Sequence, residues 1–275
     1  MLGAPLTPHE WLAQVLFAEI HNLMGLDGVV WLSALVIALA FRQVYLQALA
    51  QGAQRLPTAA LTLFAAFASS IHWLARPHIF TFLLLAIWVS QLSRLERLRT
   101  RDLWIFPALM LVWANIHGAF IAGFVTWGTY LAGAIWEQVN RQGSFTPIKR
   151  LAGIGVVSFA ASLLNPSGWQ LWQTSLGYIQ NRYLVGMTQE YLSPDFHQIT
   201  FIPFLLFLAL TAFIIARKDA SMRMHDTLLL AGWIVMALYS ARNIPFDGHH
   251  QCAHPFCQHK TPQVALYPRN CVANY

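Results

Sequence analysis

Apolar residues run along this chain in long blocks, separated by short polar punctuation, and strand-type alternation is nowhere sustained. A bilayer core about 30 Å thick takes roughly 20 mostly apolar residues at about 1.5 Å each. Blocks of that kind lie near 28–47, 57–75, 77–93, 103–116, 118–137, 149–165, 199–216 and 226–242. The pattern therefore predicts an all-α fold, a polytopic transmembrane helix bundle of about eight spans. The two blocks flanking Asn115, His117 and Gly118 could also form one long broken helix, so the count is good to about one. Ahead of the first block, residues 9–24 place Leu12, Leu16, Ile20 and Leu23 at helical spacing, with His9, Glu19 and His21 elsewhere on the wheel. That segment reads as an amphipathic helix lying at a membrane interface.

Composition agrees and removes the rival classes. Hydrophobic residues make up 57% of the chain and charged residues 10%, where soluble domains carry about a quarter charged. A soluble enzyme, a nucleic-acid binder and a disordered protein are all disfavoured. The net charge of +6 gains meaning from its placement. With the loop 94–102 cytoplasmic, alternation puts Arg42, Arg55, Arg94, Arg97, Arg99, Arg101, Arg141, Lys149, Arg150, Arg217, Lys218 and Arg223 on the inner side. The other side, up to residue 246, receives only Arg76, Arg182 and Arg242. This is the asymmetry of the positive-inside rule. It predicts a multi-pass protein of the plasma (inner) membrane with the 9–24 helix and a long loop, 166–198, on the outer face.

The chain divides into a membrane domain, 1–246, and a polar tail, 247–275, that holds all three cysteines. His249, His250, Cys252, His254, Cys257 and His259 have the ligand types of a zinc site. Their spacing fits no standard knuckle, since Cys252 and Cys257 are separated by four residues with no second pair nearby. A composition that changes where another apolar span would fit points to a shifted reading frame or a disordered extension. The N-terminus falls outside without an export signal, which points to a missing upstream helix and hence to a fragment.

Polar residues of the outer half recur at span ends: His72, Arg76, Pro77 and His78; Asn115, His117 and Gly118; Asn165 and Pro166; Arg242 and Asn243. The long outer loop adds Arg182, Glu190, Asp195 and His197, and the interfacial helix adds His9, Glu10, Glu19 and His21. Ionisable residues at membrane depth are expensive and invite a functional reading. Each also has a plainer one: arginines snorkel to headgroups, Asn115 and His117 make interhelical hydrogen bonds, Asn165-Pro166 ends a helix, and Trp residues anchor at the interface. Taken as a set, arginines suit a phosphate, a carboxylate suits a base toward a hydroxyl, and an acid pair could hold a divalent cation such as Mg or Mn. Glycosyl transfer from a polyprenyl phosphate uses all three. A transporter or lipid-handling protein without chemistry would use the same basic residues.

The strings His9-Glu10-Trp11-Leu12, Ala75-Arg76-Pro77-His78, Trp113-Ala114-Asn115-Ile116-His117-Gly118, Leu164-Asn165-Pro166-Ser167-Gly168-Trp169, Glu190-Tyr191-Leu192-Ser193-Pro194-Asp195-Phe196-His197 and Ala241-Arg242-Asn243-Ile244-Pro245 give the chain a family likeness. It resembles a group of uncharacterised bacterial polytopic membrane proteins similar to type C glycosyltransferases, which use polyprenyl-phosphate sugars. The resemblance implies hexosyl or pentosyl transfer at the outer face to an unidentified acceptor, with membrane lipids and no nucleic acid as partners. It also implies a catalytic Asp in an outer segment upstream of His9, which this chain lacks. Glu10 is then the nearest carboxylate for the base. Substrate binding would fall to Arg76, His78, Asn115, His117, Glu190, Asp195, His197 and Arg242.

Overall fold

A computed structural model describes residues 7–141, 145–180, 183, 187, 191–216 and 223–244. Among them there is no strand, and the order of helices is α1 (Trp11–Ala50), α2 (Arg55–Ala68), α3 (His78–Leu92), α4 (Ile105–Ile116), α5 (Ile121–Arg141), α6 (Thr146–Ser162), α7 (Gln170–Gln180), α8 (Ile202–Ala216) and α9 (Met224–Tyr239). Each apolar block of the sequence has become a helix. Among the described residues three stretches are long and apolar enough to cross a membrane: Trp11–Ala50, Gly118–Asn140 and Ile199–Ala216. Helices α2, α3 and α9 are apolar but shorter. Helix α4 has 12 residues, about 18 Å, and is lengthened by the 3-10 turn Thr100–Trp104 that runs into it.

A straight helix of 40 residues would extend about 60 Å, twice a bilayer core. Helix α1 is not straight. Gly25 breaks it with φ 66° and ψ −157°, a conformation open to glycine and strained for any residue with a Cβ. The interfacial segment and the first span of the sequence reading are thus two limbs of one helix. Between Trp11 and Gly25 only Ala13 is buried, whereas burial in the second limb runs from Gly28 to Ala48.

The sequence allows one helix or two over residues 103–137. His117 decides it: its backbone is extended (φ −156°, ψ 137°), so α4 stops at Ile116 and a 3-10 turn, Gly118–Phe120, starts the next helix. The long outer loop is also less irregular than expected, since α7 occupies residues 170–180 of it.

Packing follows residue size. Helices α1 and α3 share one interface, α4 and α6 another, and α5 meets both α6 and α9. Trp88 stands edge-on to Phe106 and Trp113, at ring separations of 5.1 and 6.5 Å, and all three are fully buried. Gly133 lets α5 approach α9 so closely that a Cβ there would stand 2.7 Å from the His225 Cβ. Outward faces carry Leu56, Leu63, Phe67, Leu206, Phe213 and Val235, all exposed. An apolar surface of that extent is unusual on a soluble protein.

Long-range contacts sort the connections between two ends of the bundle. At one end Arg150 Nη1 donates to the carbonyls of Leu95 and Leu98, both at 3.0 Å, joining the start of α6 to the loop after α3. Asp226, at the start of α9, pairs with Arg223 at 3.2 Å and with His225 at 3.3 Å, and His225 stacks on Tyr130. Glu10, His117, Leu164, Ser175, His72, Leu192 and Ala241 gather at the other end.

Candidate functional site at the Glu10 end

The first turn of α1 is fastened to the α4–α5 break. Trp11 Nε1 donates to Asn115 Oδ1 at 2.8 Å, and Asn115 Nδ2 donates to Leu111 O at 2.8 Å and Leu164 O at 3.0 Å. Both polar atoms of Asn115 are therefore spent on protein, binding α1, α4 and the end of α6 together. This fastening sets Glu10 beside His117, with Oε1 3.4 Å from Nε2. His9 Nε2 lies 3.9 Å from the same carboxylate oxygen. The Glu10 side chain keeps 24% of its surface exposed against 6% for His117, so the carboxylate faces outward and the imidazole inward.

Behind His117 the polar chain continues into the core. Its Nδ1 is 2.9 Å from Thr81 Oγ1, and Trp113 Nε1 donates to that same hydroxyl at 3.0 Å. Thr81 and Trp113 are completely buried. Thr81 lies one helical turn beyond His78, and residues three apart share a helix face. The His78 ring Nε2 is 2.7 Å from the carbonyl of His72, whose own Nε2 is 2.8 Å from Ala241 O. An imidazole nitrogen facing a carbonyl must donate, so both rings carry hydrogen on Nε2. Ala241 N donates in turn to Leu192 O at 2.9 Å, drawing the 191–198 segment to the same end.

Helix α7 closes over the break. A Cβ on Gly118 would stand 3.1 Å from Ser175 Oγ, and Thr174 donates to Thr7 at 3.2 Å. Trp172 donates to Ser162 Oγ at 3.0 Å and stacks with Trp169, of which 55% is exposed. Asn165 holds its own turn, accepting from Ser167 N at 2.8 Å and donating to Ser162 O at 2.8 Å.

The residues singled out from the sequence thus meet different fates. Glu10 and His117 come together, and His78 stands one turn from the Thr81 that touches His117. Arg76 is exposed on the turn just before His78. Asp195 and His197 lie on an exposed turn, where the His197 amide donates to Asp195 Oδ1 at 3.0 Å and Gln198 Nε2 to Oδ2 at 3.2 Å. The His197 amide first, and then Gln198, hold the Asp195 carboxyl below its ordinary range. The backbone of Arg242 lies in the 3-10 turn Ala241–Asn243; its side chain, together with Glu190, Arg182 and the cysteine- and histidine-bearing tail 247–275, falls outside the described residues. Among the described residues no three His, Cys, Asp or Glu side chains gather to hold a metal ion.

Sequence reasoning missed Trp11, Thr81 and Trp113 as members of this network. Thr81 and Trp113 sit inside apolar runs and Trp11 opens an amphipathic segment, where one sequence gives a Trp or Thr no polar address. Comparison with protein-family models, with curated proteins and with solved structures finds no match for this chain.

Proposed function

We propose that the chain is a multi-pass inner-membrane protein, crossing eight times, whose Glu10 end faces outward and transfers a sugar from a polyprenyl phosphate to an acceptor hydroxyl. The observation that carries this reading is the pairing of a part-exposed carboxylate, Glu10, with a buried histidine, His117, at the end of an apolar bundle. A carboxylate so placed can take the acceptor's proton as the hydroxyl attacks the sugar. His117 fixes where that carboxylate points. Arg76 and Arg242 supply guanidinium forks for the phosphate that leaves with the lipid. The sidedness rests on Arg150 and the loop 94–102 meeting at the opposite, basic end.

The test is transfer of a radiolabelled sugar from polyprenyl phosphate in inverted and right-side-out membrane vesicles carrying the full chain. Activity should appear with substrate on the periplasmic side and disappear in Glu10→Gln and in Arg76→Ala, with expression and membrane insertion retained. A chelator in parallel reactions decides whether a divalent ion takes part. Transfer that is absent from the unaltered chain, or unchanged in both variants, overturns the proposal. Movement of a solute without consumption of lipid-linked sugar would mark a transporter instead.

A further inference from the structure

We propose that Thr81 and Trp113 are positioning residues that hold His117 in its Nε2–H tautomer and so present its hydrogen-bearing nitrogen to Glu10. The argument starts from what each group can donate. An indole nitrogen only donates, so Trp113 Nε1–H occupies a lone pair of Thr81 Oγ1 at 3.0 Å. Thr81 has no exposed surface, and a buried hydroxyl hydrogen needs an acceptor. Among the described residues the one acceptor within reach is His117 Nδ1, at 2.9 Å. Thr81 therefore donates to Nδ1, which must be bare, and the ring hydrogen goes to Nε2. Nε2 is the nitrogen that stands 3.4 Å from Glu10 Oε1.

Had the tautomer been the reverse, a bare Nε2 would face the Glu10 carboxylate, two acceptors opposed. The buried side of the network prevents this, without any of its members reaching the surface. Thr81 itself is sealed from substrate, so it acts through His117 and Glu10. This inference rests on the proposed role of Glu10 only for its effect on transfer; the tautomer is a property of the protein in either case.

The experiment is nitrogen NMR of the full chain in detergent, labelled with 15N-histidine, the His117 signals being assigned by their loss in His117→Asn. The expected spectrum has Nε2 in the protonated range and Nδ1 in the bare range, unchanged on adding buffer at any pH where the ring is neutral. In Thr81→Val the two signals should move toward a mixture of tautomers, and sugar transfer should fall by about tenfold to a hundredfold, as when an orienting partner is lost. Thr81→Ser should restore both readouts. A His117 ring hydrogen on Nδ1 in the unaltered protein, or signals in Thr81→Val identical to those of the unaltered chain, overturns the proposal. The predicted tautomer in a chain that transfers no sugar would leave this inference standing and remove only the proposed function.

Discussion

Trp11 gives its indole hydrogen to Asn115 across 2.8 Å, a bond between residues 104 positions apart in sequence. It spans the start of the first helix and the end of the fourth, and it lies beside the approach of Glu10 to His117. Asn115→Ala removes the acceptor for Trp11 and the donor for Leu164 O, leaving a part-buried indole hydrogen and a part-buried carbonyl unmatched. Loss of such partners costs about 1–3 kcal/mol each. A lowered melting temperature in detergent is expected, together with faster amide hydrogen exchange over residues 11–14.

Glycine has opposite roles at two positions of α5. A Cβ on Gly133 would press into His225, while one on Gly128 would meet nothing within 4 Å. Gly133→Ala should destabilise by about 1–3 kcal/mol, the usual cost of overpacking. Gly128→Ala should be neutral or stabilise by about 0.4–1 kcal/mol, by restricting the unfolded chain. Thermal unfolding of the two variants side by side measures the contrast.

Arg150 supports two carbonyls with one nitrogen, and few residues could replace it there. Arg150→Ala should release the turn Leu95–Arg97, read as increased proteolysis between residues 93 and 100. The expected cost is about 1.5–3 kcal/mol, the range for hydrogen bonds from a charged donor.

Asp195 couples the 191–201 segment to pH. Its folded carboxyl sits below the ordinary value, so the stabilisation it gives is present above the unfolded value and is lost as pH falls through the folded one. Amide exchange at His197 and Gln198 should therefore quicken at acid pH relative to the rest of the chain. Asp195→Asn should abolish that acid-dependent difference while leaving the helices intact.

Sidedness can be read with introduced cysteines once Cys252, Cys257 and Cys271 are replaced by serine. Thr100→Cys and Thr146→Cys should react with an impermeant reagent only from the cytoplasmic side, Thr7→Cys and Ser193→Cys only from the periplasmic side. Labelling of the first pair and the second from one side would refute the eight-crossing topology.

The helices were legible in the sequence because apolar blocks and basic punctuation are local signals, and each block from 28–47 to 226–242 overlaps a helix of the structure. Their lengths were less legible. The polar residues that stop them, such as His117 with its extended backbone, act through contacts made elsewhere. Glu10 and His117 were both visible as outer-end ionisable residues, but their meeting was not, because it depends on Trp11 finding Asn115. Asn115 reads from the sequence both as a substrate ligand and as an interhelical hydrogen-bonding residue, and its bonds to Trp11, Leu111 and Leu164 are of the second kind. The Arg223–Asp226–His225 cluster lay in a stretch where charge was read only for its sign.

The break at Gly25 separates two requirements that a continuous helix would have to meet together. In an unbroken rod, adding one residue to suit a thicker bilayer would turn everything before it by about 100° and shift it by about 1.5 Å. Glu10 would swing away from His117, and Trp11 from Asn115. With a glycine at residue 25, the chain changes direction between the limb that follows, buried against the bundle from Gly28 to Ala48, and the limb that precedes it, which starts at the Glu10 end. One backbone conformation thus stands between the Glu10–His117 contact and the long apolar limb of the first helix.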